Sequence, residues 1–307
     1  MKKIITYIIL AALLVVFIIR SDYDFSVILN ADPFDVLMLT IVIVFSYIST
    51  FFAVDIQLKM LEVKEKKSNV AFISLATNLL NYLPAKGGMI SLGTFLKVKK
   101  KVPVNRFVFV TILIYIFVTI VTVLISFVFI FDRRMMELYG RLNLFYLLIS
   151  IAVSVTVLIL SILIALKNRD NIISKYYLLF LRNRSLIGTN KLNIFYMVLI
   201  ILAGITLFSM RMYFAFRIAG FPVSSYDAFL IGVIANLSFF LSFTPGGLGI
   251  KEGFVGGISF LLFGNAGVGI VASLADRAVN LILTIITGTY AIRHLDSTYF
   301  SKNEVSE

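Results

Sequence analysis

From Phe107 to Phe131 the chain carries no charged side chain, no proline and no glycine. About 20 apolar residues in a helix cross the ~30 Å of bilayer hydrocarbon. At that depth no water satisfies the backbone, so a continuous apolar run must be helical. The same reading applies to residues 4–19, 33–54, 144–166, 194–219 and 268–292. Two further apolar segments, 70–96 and 225–263, are each interrupted by proline and paired glycines. The 307 residues are 60% hydrophobic and 14% charged, whereas a soluble domain holds roughly 45–50% and about 25%. Residues 1–307 therefore read as one integral membrane domain, an all-α polytopic protein.

The start, Met1 to Asp22, has the charged beginning and apolar run of a signal peptide. Arg20, Ser21 and Asp22 stand where small residues would mark cleavage, so an uncleaved first helix is expected. Net charge is +12. In so apolar a chain that excess belongs beside anionic lipid heads on the cytoplasmic side, and nucleic acid is not an expected partner. Cysteine is absent and His294 is the single histidine, which excludes thiolate chemistry and histidine-cluster metal sites. No cofactor is expected. No GxxxxGK[ST] element is present, so nucleotide hydrolysis is not expected. The longest hydrophilic stretch, 167–193, is too short to fold alone.

Charge in the linkers orders the segments. Lys59, Lys64, Lys66 and Lys67 precede the broken segment 70–96, and Lys97, Lys99, Lys100 and Lys101 follow it. A third basic linker covers 167–193. Lysine and arginine collect on the cytoplasmic side, so both ends of 70–96 belong there, and the segment must enter and return as a re-entrant pair of half-helices. The turn falls at "LPAKGG", with Pro84, Lys86, Gly87 and Gly88. Treating 225–263 alike gives six full transmembrane helices and two re-entrant hairpins. The repeat halves are then about 1–143 and 144–307, inverted relative to each other, with both termini cytoplasmic in the plasma membrane. "NLLNYLPAKGG" and "NLSFFLSFTPGG" support the repeat: each runs from an asparagine to proline and paired glycines, about half the chain apart. Interrupted segments at matching places in two halves point to a transporter with its site between the breaks. The alternative has 225–243 and 250–263 each crossing, for seven or eight spans.

Few residues in the apolar parts carry charge. "SFTPGGLGIKEG" places Lys251 and Glu252 after Pro245, Gly246, Gly247 and Gly249, and "SLADRAVN" places Asp276 and Arg277 inside the last segment. A charge inside a bilayer costs at least ~2.5–3.5 kcal/mol on insertion scales, so it faces a partner or a cavity. Neighbours on a helix point about 100° apart, so Asp276 and Arg277 need different partners; Arg277 with Glu252 is one expected pair. Asn280, one turn on, extends a polar track. Lys251, Glu252, Asp276, Arg277 and Lys86 are the candidate substrate-path residues, weighed against interfacial snorkelling for the lysines and a purely structural pair for Asp276 and Arg277. Asn78 and Asn81 read as caps or cross-links, Arg211 and Arg217 as interfacial anchors, and Asp55 as interfacial.

Taken together, "NLLNYLPAKGGMISLG", "TPGGLGIKEGFVGG" and "ASLADRAVNLILTIITG" resemble the membrane region of lysylphosphatidylglycerol synthases, a flippase-like family, over nearly the whole chain. The resemblance marks Pro245, Gly246, Gly247, Gly249, Lys251, Glu252, Asp276 and Arg277, with Pro84 and Gly87 in the first half. It implies a translocator of an anionic or aminoacylated phospholipid or lipid-linked precursor, with membrane phospholipid and a separate lipid-synthesising enzyme as partners. Bifunctional members add a cytosolic domain that makes the lipid from lysyl-tRNA. The present residues offer no basis for that phosphatidylglycerol lysyltransferase chemistry. The competing readings are an enzyme or enzyme subunit of lipid or lipid-linked glycan metabolism, with Glu252 or Asp276 as acid–base group, and a membrane scaffold.

Overall fold

The computed structural model describes residues 27, 30–83, 87–130, 191–236, 238 and 244–299. The expected helices at 4–19 and 144–166, both termini, Pro84 and Lys86 lie outside the described residues. Every element described is helical: α1 (Pro33–Met60), α2 (Lys67–Leu80), α3 (Gly87–Lys100), α4 (Val104–Ile130), α5 (Lys191–Ile218), α6 (Ser225–Asn236), a short 3₁₀ turn (Pro245–Gly247), α7 (Ile250–Phe263) and α8 (Ala266–Tyr299). The protein is an all-α polytopic membrane protein. Among the described residues four helices, α1, α4, α5 and α8, are long and apolar enough to cross a membrane.

These helices are apolar outside as well as inside. On α1, Leu37, Ile41, Phe45, Ile48 and Phe52 recur at helical spacing on the exposed face, while Leu39, Val42 and Ile43 are buried. On α4, Ile112, Ile116, Ile120 and Leu124 form a second exposed stripe. A helix hydrophobic all round suits a lipid surround.

The broken segment 70–96 forms two helices of 14 residues each, about 21 Å at ~1.5 Å per residue. Neither reaches across ~30 Å of hydrocarbon. Their outer ends meet: Glu65, just before α2, pairs with Lys100 at the end of α3. The pair is therefore a hairpin open to one side. Its crossing is tight, because a Cβ on Gly88 would sit 2.1 Å from the Thr77 carbonyl oxygen. The end of α8 closes this mouth: Lys99 Nζ donates to the Tyr299 carbonyl at 2.7 Å, and Asn69 Nδ2 donates to the Tyr299 hydroxyl at 3.0 Å.

The second pair opens the other way. α6 follows the end of α5, and α7 ends at Phe263, whose ring lies 5.0 Å from that of Phe221 and 6.2 Å from that of Phe216. That side also holds the start of α1, where Asp32 caps Phe34 N–H at 2.9 Å and Arg217 Nε donates to Asp35 Oδ1 at 2.7 Å. The open ends of the two helix pairs thus lie at opposite ends of α8. α7 spans 14 residues, too short to cross, and α6 is described over Ser225–Asn236. Beyond Asn236 the course of 225–243 lies outside the described residues except Ser238.

α8 connects everything. It packs on α7, α2 and α5. A Cβ on Gly269 would sit 2.5 Å from Ser259 Cβ on α7, and one on Gly288 would sit 2.4 Å from Leu79 Cβ on α2. Small residues let helix backbones approach closely in a bilayer, and here they seat one arm of each hairpin on the same long helix.

Candidate functional site

The second break is held open by its own backbone. Gly246, Gly247 and Gly249 take φ of 57°, 71° and 82°, a left-handed region that costs other residues roughly 1–2 kcal/mol. The turn frees backbone donors at the start of α7, and Glu252 takes one: Gly249 N–H donates to Glu252 Oε2 at 2.7 Å. An N3 glutamate reaching back to the N-cap amide is one half of a capping box. Its other oxygen accepts from Arg277 Nε at 2.7 Å, the pair expected between these helices. Arg277 Nη1 then donates to the Gly246 carbonyl at 3.0 Å, so the arginine grips the turn it faces. Its Nη2 is buried without a hydrogen-bond partner.

Asp276 points elsewhere, as adjacent helical positions require. Arg211 on α5 donates to it through Nε at 2.7 Å and Nη2 at 2.9 Å. Lys251 Nζ donates to Asp276 Oδ2 at 2.5 Å. Asp276 and Glu252 are fully buried. Lys251–Asp276 and Glu252–Arg277 form two successive rungs between α7 and α8, and Arg211 adds a third cation from α5. Three cations against two carboxylates leave one positive charge in excess. Phe208 turns its ring toward both Lys251, 4.9 Å away, and Arg211, 5.7 Å away.

Arg211 is therefore no interfacial anchor. Packing of α5 against α8 carries it inward to Asp276, and the partner was invisible in sequence because 65 residues separate the two. Arg217 does sit near a helix end, paired with Asp35. Asp55 is buried at the α2/α3 mouth, bound by Lys67 at 2.5 Å and Lys59 at 2.9 Å.

Above this ion lattice lies a cavity of about 380 Å³, lined among others by Ser46, Tyr47, Asn78, Tyr82, Arg211, Gly246, Asn280 and Thr284. It draws walls from both hairpins and from α1, α5 and α8. Asn280 Nδ2 donates to the Tyr82 hydroxyl at 2.8 Å. The Tyr47 hydroxyl donates to Asn280 Oδ1 at 3.1 Å and lies 2.7 Å from Thr284 Oγ1. The polar track expected beyond Asp276 thus continues through Asn280 to Thr284. Tyr47, Tyr82, Phe208 and Thr284 were not singled out by sequence; only the helical spacing from Asp276 to Thr284 hinted at the last. Of the five ion-lattice residues only Arg211 lines the cavity. Pro245, Lys251, Glu252, Asp276 and Arg277 stand behind the wall. Gly87 and Gly88 shape the first hairpin's crossing. Among the described residues no three His, Asp or Glu side chains stand together to hold a metal ion.

The family model for the lysylphosphatidylglycerol synthase TM region matches residues 4–288. The chain belongs to that family. As a member of the lysylphosphatidylglycerol synthase TM region family it is a membrane protein of lipid metabolism or transport. Comparison with curated proteins and with solved structures gives no further match.

Proposed function

We propose that this protein is a lipid translocator in which a head group passes the meeting point of two opposed hairpins while the acyl tails stay in the bilayer. The observation that carries the reading is the cavity bounded by Tyr82 of one break and Gly246 and Gly247 of the other, a mostly apolar wall set with hydroxyls, amides and Arg211. Broken helices around a midplane site are the usual construction of transporters built from inverted repeats, and opposed hairpins support that relation between residues 1–143 and 144–307. The lysine-rich α2/α3 mouth then faces the cytoplasm of a plasma membrane.

An acid–base enzyme is supported less. Both oxygens of Glu252 and both of Asp276 already accept hydrogen bonds from cations or backbone, so neither carboxylate is free to move a proton. The test uses purified protein in liposomes with tail-labelled phosphatidylglycerol and its lysylated form. Wild-type protein exchanges lipid between leaflets, and Asn280→Leu, which fills the cavity with an apolar side chain, slows it. No exchange by folded wild-type protein removes the reading.

A further inference from the structure

Resting on the translocator reading, the cavity's own chemistry narrows its cargo. Its wall is mostly apolar, with Val54, Met89, Leu92 and Ile114 among the lining residues; its polar groups are hydroxyls, carboxamides and one guanidinium, that of Arg211, and no carboxylate of the described residues reaches it. The two buried carboxylates nearby are consumed by Arg211, Lys251, Arg277 and the Gly249 amide. The lattice still carries one cation more than it neutralises, and a guanidinium nitrogen of Arg277 is buried unbonded. An entering ammonium would meet positive charge with no counter-ion, at a depth where unpaired charge is costly. An entering phosphate would meet the opposite: a guanidinium matches its oxygens and the surplus charge favours it.

The side-chain amides point the same way. Asn78 and Asn81 line the cavity; the Asn81 backbone N–H donates to the Thr77 carbonyl, and neither side chain bonds to a described residue. Each offers two donors and an acceptor to a hydroxylated head. Tyr82 and Asn280 are linked to each other but keep further capacity.

We infer that the cavity takes the phosphodiester of an anionic, hydroxyl-bearing lipid head, with Arg211 on the phosphate and Asn78 and Asn81 on head-group hydroxyls, and that it rejects aminoacylated, cationic heads. The family's name would suggest the reverse preference. The cavity, about 380 Å³, lies within the roughly 300–1,000 Å³ of small-molecule pockets, enough for a head group with its tails outside.

The experiment has two readouts on the same full-length protein. Thermal unfolding in detergent is followed with phosphatidylglycerol, lysylphosphatidylglycerol or phosphatidylcholine added. Leaflet exchange of the three tail-labelled lipids is followed in liposomes. Phosphatidylglycerol stabilises the protein and exchanges about tenfold faster than its lysylated form, the rejection expected when an ionic group meets no partner. Asn78→Asp, which places a free carboxylate in the cavity, narrows or reverses that preference. Lysylphosphatidylglycerol stabilising or exchanging as well as phosphatidylglycerol overturns the inference and leaves translocation standing. Selective stabilisation by phosphatidylglycerol with no exchange of any lipid does the opposite: the site stands and the translocator reading falls.

Discussion

Tyr82 and Gly246, the turning points of two different hairpins, are in contact. A Cβ built on Gly246 would sit 2.8 Å from Tyr82 Cδ1 and 3.2 Å from Arg277 Nη1. Gly246→Ala adds this overlap to a left-handed φ and is expected to destabilise by on the order of 2–3 kcal/mol, read as a fall in melting temperature in detergent. Tyr82→Ala in the same chain removes the ring and recovers part of the loss. A coupling below ~0.5 kcal/mol between the two changes would mean that the breaks do not support each other.

Glu252 holds a helix cap and an ion pair at once. Removing one partner of a buried pair costs about 3–5 kcal/mol, so Glu252→Gln and Arg277→Gln each lower stability strongly. The double variant loses less than the sum, because neither leaves the other's charge unpaired. Strict additivity in unfolding measurements would contradict the pair.

Asp276 answers two cations, so its loss is the graver one. Asp276→Asn leaves Arg211 and Lys251 side by side without a counter-charge, whereas Lys251→Gln leaves the two-bond contact with Arg211 intact. Unfolding should rank Asp276→Asn well below Lys251→Gln, by roughly 2 kcal/mol or more. Equal losses would show that Lys251 is essential to the balance.

At the α2/α3 mouth, burial would raise the Glu65 carboxyl, yet hydrogen bonds from Lys100, Asn69 and Tyr299 outweigh it and hold the group below the ordinary glutamate value of 4.5. A folded pKa below the unfolded one gives stability that is complete above pH about 4.5 and lost as pH falls through the lower folded value. Melting temperature should therefore drop between about pH 5 and pH 3, and Glu65→Gln should flatten that part of the curve. An unchanged curve in the variant would assign the acid sensitivity elsewhere.

Much of this architecture was readable in the residues. Apolar runs located α1, α4, α5 and α8, and the lysines around 70–96 indicated a segment whose ends share a side. The Glu252–Arg277 pair was legible because a buried charge needs a partner and few were on offer. Arg211 was misread because a charged residue near a helix end has the same local signature whether it meets water or a distant aspartate. Tyr47 and Tyr82 were missed because a tyrosine in an apolar segment says nothing of where its hydroxyl goes. Their value comes from the crossing of α1, α2 and α8, a property of packing that no local pattern encodes.

Gly269 and Gly288 lie on one continuous rod, and each is pressed against an arm of a different hairpin. A larger side chain at either place would push that arm off the rod, so both hairpins depend on the same helix for their seats.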